Sequence, residues 1–207
     1  MIRNIVFDFG QVLCRFDPPS MTAPYVENDE DRDLVSSVVF DRLYWDRLDA
    51  GTISDEEVVG ASKARLPARL HDAAERAYYG WLDNLPPIKG MWELVERLYR
   101  EKDVKIFVLS NISRHFAANA SRFPVFRYAE DLIFSAECGH TKPHADMFEY
   151  LCERCHIKPS ETLFIDDSPK NIEGAAAFGI NGYLFDGDAE RLWQTLSSLP
   201  PKGDSHA

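Results

Sequence analysis

The chain is predicted to fold as an α/β protein built on a parallel sheet, and three observations support this. Five short apolar runs, at residues 2–7, 104–109, 132–135, 162–165 and 182–185, are rich in Ile, Val, Leu and Phe without strict alternation. That is the pattern of strands covered on both faces. Helical patterns separate the last four runs, and alternation of strand and helix builds a doubly wound sheet. Finally, three of the runs stop at polar residues: the first at Asp8, the second at Ser110-Asn111 and the fourth at Asp166-Asp167. An open parallel sheet binds ligands outside the carboxyl ends of its strands, so these residues are expected at one edge.

Between the first and second strands the pattern changes. Residues 18–87 carry no comparable apolar run but show helical periodicity over 30–40, 54–65 and 71–82. Ser54 followed by Glu57 has the spacing of a capping box and marks a helix start. Pro18-Pro19 and Pro86-Pro87 bracket the segment. It reads as a helical cap (18–87) inserted into a three-layer, Rossmann-like core formed by residues 1–17 and 88–199. Residues 200–207 read as a disordered tail.

Composition narrows the partners. The 207 residues include 34 acidic and 23 basic side chains, a formal charge of −11. A nucleic-acid binder would carry a basic face for phosphates, and a membrane-surface protein a polybasic patch, so neither partner is expected. No apolar stretch approaches the ~18 residues that span a bilayer. The N-terminal residues put Asp8 directly after a short apolar run, which is not the pattern of a signal peptide. Cys14, Cys138, Cys152 and Cys155 do not make a disulfide framework at this length. Cys152 and Cys155 form a C-x-x-C, but late in a helical pattern rather than at a strand-to-helix junction, so they read as reduced thiols of a cytoplasmic protein.

The chemistry-bearing segments are FDFGQV (7–12), VLSN (108–111), Lys142-Pro143 and FIDDSPKN (164–171). In order and spacing they resemble the four motifs of the haloacid dehalogenase-like hydrolase superfamily. The helical insertion resembles that superfamily's first type of cap. GTISDEE (51–57) and NIEGAAAFGI (171–180) are similar to segments of its small phosphatases, notably those acting on sugar phosphates of the glucose 1-phosphate type.

The resemblance implies a Mg²⁺-dependent phosphatase for a small phosphate ester. Asp8 matches the nucleophile, whose carboxylate forms an aspartyl-phosphate and so divides one hard hydrolysis into two easier steps. Asp167, with Asp166 beside it, matches the acid that binds the metal, and the Gly10 backbone carbonyl matches a further ligand. Mg²⁺ takes carboxylates, substrate phosphate and water. A cation is also required electrostatically, since two unit charges about 4 Å apart repel by about 4 kcal/mol at an effective dielectric of 20. Asn171 stands where many relatives carry another acid, and is expected to hold a metal-bound water or Lys142. Ser110 and the Asn111 backbone match the groups that bind the transferring phosphoryl, and Lys142 the lysine that neutralises it. Arg114 and His115 are placed near enough to touch substrate, and Trp45, with Tyr44, either lines the pocket or packs the cap.

One position departs from the pattern. The superfamily's phosphatases mostly carry a second aspartate two residues after the nucleophile, as leaving-group acid and later as base. Here that residue is Gly10, and such a group is typically worth ~10²–10⁴ in rate. Gln11 can orient water, and Asp17 can reach the site if the following loop folds over it. The glycine leaves three readings: a phosphatase whose cap, water or good leaving group makes up the loss; a non-catalytic phosphate-binding or regulatory protein; or a metal-free 2-haloacid dehalogenase, against which the Asp166-Asp167 pair weighs.

Overall fold

The computed structural model describes residues 1–203. Five strands form one parallel sheet: β1 (Asn4–Phe7), β2 (Lys105–Ser110), β3 (Asp131–Phe134), β4 (Thr162–Asp166) and β5 (Asn181–Leu184). Their order across the sheet is β3-β2-β1-β4-β5. The chain therefore builds outward from β1 on one side and then turns back to build from β4 on the other. The reversal point lies between β1 and β4, where a doubly wound sheet opens a crevice.

The helices, in chain order, are α1 (Pro18–Thr22), α2 (Asp29–Val39), α3 (Arg42–Asp49), α4 (Asp55–Arg65), α5 (His71–Gly80), α6 (Met91–Glu101), α7 (Arg114–Ala118), α8 (Ser135–Cys138), α9 (Ala145–Cys155), α10 (Pro169–Phe178) and α11 (Ala189–Leu196). Residues on β1 alternate between two cores, as the two-residue period of a strand requires. Ile5 and Phe7 join the core that holds Leu94 and Leu98 of α6 and Leu192 of α11. Val6 joins Phe148 of α9 and Ala175 of α10 on the opposite face. The result is three layers, each helix sheet-facing stripe stabilised by about 1.5–3 kcal/mol for every fully buried large side chain.

The helices α1 to α5 occupy the segment between β1 and β2. Asn28 and Asp41 cap α2 and α3, accepting from the backbone of Asp31 and Leu43. The expected capping box starts α4: Ser54 Oγ accepts from Glu57 N, and the Glu57 carboxylate accepts from Ser54 N at 2.9 Å. Phe40, Trp45 and Trp81 pack around Phe16, which joins this segment to the end of β1.

Two expectations need correction. β5 is not covered on both faces: it is an edge strand, and Leu184 is 50% exposed. Its run of apolar letters is short and begins at Gly182, which has no side chain to bury. The expected tail also fails where it can be described. Pro201 bridges to Lys102, Asp103 N donates to Pro200 O and Lys202 N to Glu101 O, so residues 200–203 lie along the end of α6. Proline-rich composition carries no trace of that pairing. Residues 204–207 lie outside the described residues.

Candidate active site

Strand register brings the polar residues together. Phe7 is level with Ile165 in the β1–β4 pair and with Val108 in the β1–β2 pair. Asp8 and Asp166 each follow by one residue, so they stand side by side on strands ~4.8 Å apart. Ser110 is the last residue of β2, on the other side of Asp8. The Asp8 backbone N–H still donates to Ile165 O at 2.9 Å, so the strand pairing extends to Asp8 itself.

Lys142 lies between the two acids. Its Nζ is 2.8 Å from Asp8 Oδ1 and 2.8 Å from Asp166 Oδ2. All three side chains are buried. Burial works against the ammonium, but the two carboxylates outweigh it and hold Lys142 above the ordinary lysine range. Asp8 is pushed upward by burial and by the Asp166 charge, with Lys142 opposing. Breaking such a buried pair leaves an uncompensated charge, which is more costly than the pair is stabilising.

The Asp166 carboxylate is saturated. Ser168 N donates to Oδ1 at 2.8 Å, Asn171 Nδ2 to both oxygens at 3.0 Å, and Lys142 to Oδ2. Asn171 therefore holds Asp166 and not Lys142. The Asn111 side chain takes the Lys142 position instead: its Oδ1 accepts from Lys142 N at 2.8 Å and its Nδ2 donates to Lys142 O at 2.9 Å. This amide is committed to placing the lysine.

Asp167 is exposed at the rim, its carboxyl raised by partial burial and by Asp166. Oxygen atoms of Asp8, Asp166 and Asp167 all lie within 4.8 Å of one another. Lys142 offsets part of the repulsion among these three oxygen donors, and hard oxygen donors so close are the chemistry that suits Mg²⁺. With Asp166 already saturated, Asp8 and Asp167 are the carboxylates with capacity left for a metal. Gly10 lines the same cavity, and its carbonyl fits the set.

Two cavities meet at Asp8. One, of about 80 Å³, is largely apolar and lined by Ser110, Trp45 and Trp81 with Cys14 and Leu85. Trp45 is also a core residue, its Nε1 donating to Val39 O. The other, of about 600 Å³, contains Asp8, Gly10, Lys142 and Asp167 from the sheet edge, and Arg42, Asp46 and Asp49 from α3.

Arg114 does not join them. Its Nε donates to Ala136 O at 3.0 Å, and it lines a separate cavity of about 360 Å³ with Gly51 and Ser54. His115 turns into the protein, its ring against Tyr79 and its Nε2 buried without a partner among the described residues. Both lie past Ser113, which caps α7, and the turn of that short helix carries them away from Ser110. Gln11 is occupied with Phe16, donating to its O and accepting from its N. Asp17 accepts from Ser20 Oγ, so it closes the following turn and does not reach back. The four cysteines are free, and burial raises the Cys152 and Cys155 thiols to about 11 and about 12, far from reactive thiolates.

The α3 residues Arg42, Asp46 and Asp49 were not singled out by sequence. One signal was present: Trp45 and Asp49 are four apart on one helix, so an apolar anchor and a carboxylate share a face.

A buried lysine held by two carboxylates thus stands at the reversal point of a doubly wound sheet, with a third acid at the rim. The chain belongs to the haloacid dehalogenase-like hydrolase family, whose model matches residues 2–179. It is 26% identical over 194 residues to a D-ribitol-5-phosphate phosphatase of Bacteroides thetaiotaomicron, covering 88% of this chain and 91% of that protein. A solved structure of an enzyme of this family from the same bacterium, in complex with magnesium and inorganic phosphate, superposes with a TM-score of 0.68 at 20% identity, over 93% of this chain and 100% of that one. The L-2-haloacid dehalogenase of Xanthobacter autotrophicus, with chloropropionic acid covalently bound, shares the fold at a TM-score of 0.63 and 21% identity, over 88% of this chain and 76% of that one. No helix among the described residues is long and apolar enough to cross a membrane.

Proposed function

We propose that this protein is a Mg²⁺-dependent phosphatase that hydrolyses a small phosphate monoester, of the sugar-phosphate class, through an aspartyl-phosphate on Asp8. The observation that carries the reading is the Asp8–Lys142–Asp166 arrangement with Asp167 within reach of a shared cation. The ribitol-phosphate phosphatase that the chain resembles over most of its length supports the substrate class.

In this reading Asp8 attacks phosphorus while Lys142 holds the charge of the nucleophile and of the transferring group. Asp8, Asp167 and the Gly10 carbonyl would hold a Mg²⁺, which would supply neutralisation of the phosphate charge. The Ser110 hydroxyl and the Asn111 backbone orient the phosphoryl oxygens. Residues 18–87 act as the cap, and Trp45 and Trp81 present an apolar wall on the substrate side. The acid cluster favours this reading over dehalogenation, in which an alkyl halide brings no negative phosphate for a metal to offset.

A phosphate-release panel of sugar phosphates, nucleotides and acyl phosphates tests the function. The expected result is Mg²⁺-dependent turnover that is strongest on sugar phosphates and lost in Asp8→Asn, with the fold of the variant intact. Halide release without Mg²⁺, or Mg²⁺-dependent phosphate binding without turnover on any member of the panel, contradicts it.

A further inference from the structure

Gly10 leaves a gap with a definite shape. A Cβ built there meets no atom within 4 Å, so the space that an acidic side chain would fill at this position is open. The same cavity contains Asp49, the last residue of α3, facing the sheet edge from the other side.

Asp49 is held in place by its backbone. Ser135 Oγ donates to Asp49 O at 2.5 Å and accepts from Ile112 N at 2.8 Å. The end of α3 is thereby tied to the loop that follows Ser110 and Asn111. Gly51, at φ +68°, turns the chain sharply after α3, and a Cβ there would stand 2.8 Å from Ala136 O. A helix ending in a left-handed residue is common, but this close approach to a second backbone demands glycine. Arg114 Nε braces the same Ala136 carbonyl.

The side chain, by contrast, has no hydrogen-bonding partner among the described residues. Asp49 is 8% exposed, yet what acts on its carboxyl besides burial acts through space: Arg42, Asp46, Asp8 and Lys142. Its carboxylate is not sealed from solvent but opens on this cavity, where water or a substrate group can meet it. Structural carboxylates elsewhere in this segment are satisfied: Asp31 by Arg69 and Asn28, and Asp41 by Arg65 and the backbone of Leu43.

We propose that Asp49 is the leaving-group acid and the water-activating base of this site, supplied by the helical segment in place of the side chain that Gly10 lacks. The proposal rests on the phosphatase reading above. In the first half-reaction the Asp8–phosphorus bond forms as the bond from phosphorus to the ester oxygen breaks, and the Asp49 proton passes to that oxygen, releasing the alcohol. In the second, water bonds to phosphorus as the Asp8–phosphorus bond breaks, and the water proton returns to Asp49. The carboxyl ends as it began, with inorganic phosphate as product. Burial pushes Asp49 up to about 7, with Asp46 and Asp8 adding and Arg42 and Lys142 opposing. Such a value suits a group that must donate and accept at neutral pH.

The test compares two esters with Mg²⁺ present: a simple alkyl phosphate, whose alkoxide needs a proton to leave, and p-nitrophenyl phosphate, whose phenolate does not. Asp49→Asn is expected to lose ~10²–10⁴-fold on the alkyl ester. On the aryl ester it is expected to show a burst of about one equivalent of p-nitrophenol and then slow turnover, because the acid is dispensable but the base is not. Gly10→Asp added to Asp49→Asn is expected to restore most of the alkyl-ester activity. Equal loss on both esters without a burst, or no loss on either, overturns the proposal. Asp49→Glu, which keeps the carboxyl, guards against a fold defect: it is expected to retain more alkyl-ester activity than Asp49→Asn, and equal loss in the two variants overturns the assignment. If the native chain releases phosphate from neither ester nor from any member of the wider panel, the phosphatase reading itself has failed; activity without the Asp49 pattern is the failure of this proposal alone.

Discussion

Asp8 and Asp49 face one cavity, and each is 8% exposed, but their surroundings differ. Asp8 sits at a strand end with the Lys142 ammonium at 2.8 Å and its Oδ1 accepting from Phe9 N at 2.7 Å. Asp49 sits at a helix end with its backbone pinned and its carboxyl bare. Burial raises both carboxyls to about 7, but only at Asp8 does a hydrogen-bonded ammonium oppose it; at Asp49 the opposing charges, Arg42 and Lys142, act through space.

The largest effect is expected from removing the charge balance at the sheet edge. Lys142→Met leaves Asp8 and Asp166 buried without their cation, and should lower metal-free stability at neutral pH by about 3–5 kcal/mol. The deficit should shrink as the pH falls and Asp8, whose carboxyl burial already raises, takes up a proton. Denaturant unfolding at several pH values in the presence of a chelator measures it, and an unchanged midpoint at pH 7 would mean that the pair contributes nothing.

The opposite sign is expected across the cavity. The folded-state value of Asp49, about 7, lies above its ordinary 3.8. Between those values the unfolded chain releases a proton that the folded chain keeps, so stability falls as pH rises from about 4 to about 7 and then levels off. Asp49→Asn removes this penalty. In metal-free buffer it should be more stable than the native chain at pH 8, by roughly 1–3 kcal/mol, and close to it at pH 4. Thermal or urea unfolding at both pH values checks the difference, and a variant less stable at pH 8 would show the carboxylate to be favourably placed.

The same contrast explains what could be read from sequence. Asp8, Ser110 and the Asp166-Asp167 pair were visible because strands announce where they end: an apolar run stops and a polar residue follows. Parallel register then aligns those ends with no further information. Lys142 needed the motif order, since it reaches the cluster from a loop. Asp49 was not visible, because its role depends on where α3 docks, and docking is set by Ser135, Ala136 and Gly51, far apart in the chain. Arg114 lies apart from that cluster for a related reason. It is close in sequence to Ser110, but α7 begins between them and redirects the side chain to Ala136. The amides of Asn111 and Asn171 have clear hydrogen-bonding partners in the structure, yet an asparagine in sequence gives no sign of which carboxylate or peptide it will hold.

The central claim is that the sheet edge forms a covalent phosphoryl intermediate on Asp8. The direct measurement is a rapid acid quench of the Asp49→Asn variant turning over p-nitrophenyl phosphate with Mg²⁺, followed by mass spectrometry of the peptides. The account predicts a phosphoryl adduct on the peptide containing Asp8, absent when Asp8 is replaced by Asn. Phosphate release without such an adduct, or an adduct on a different residue, contradicts it.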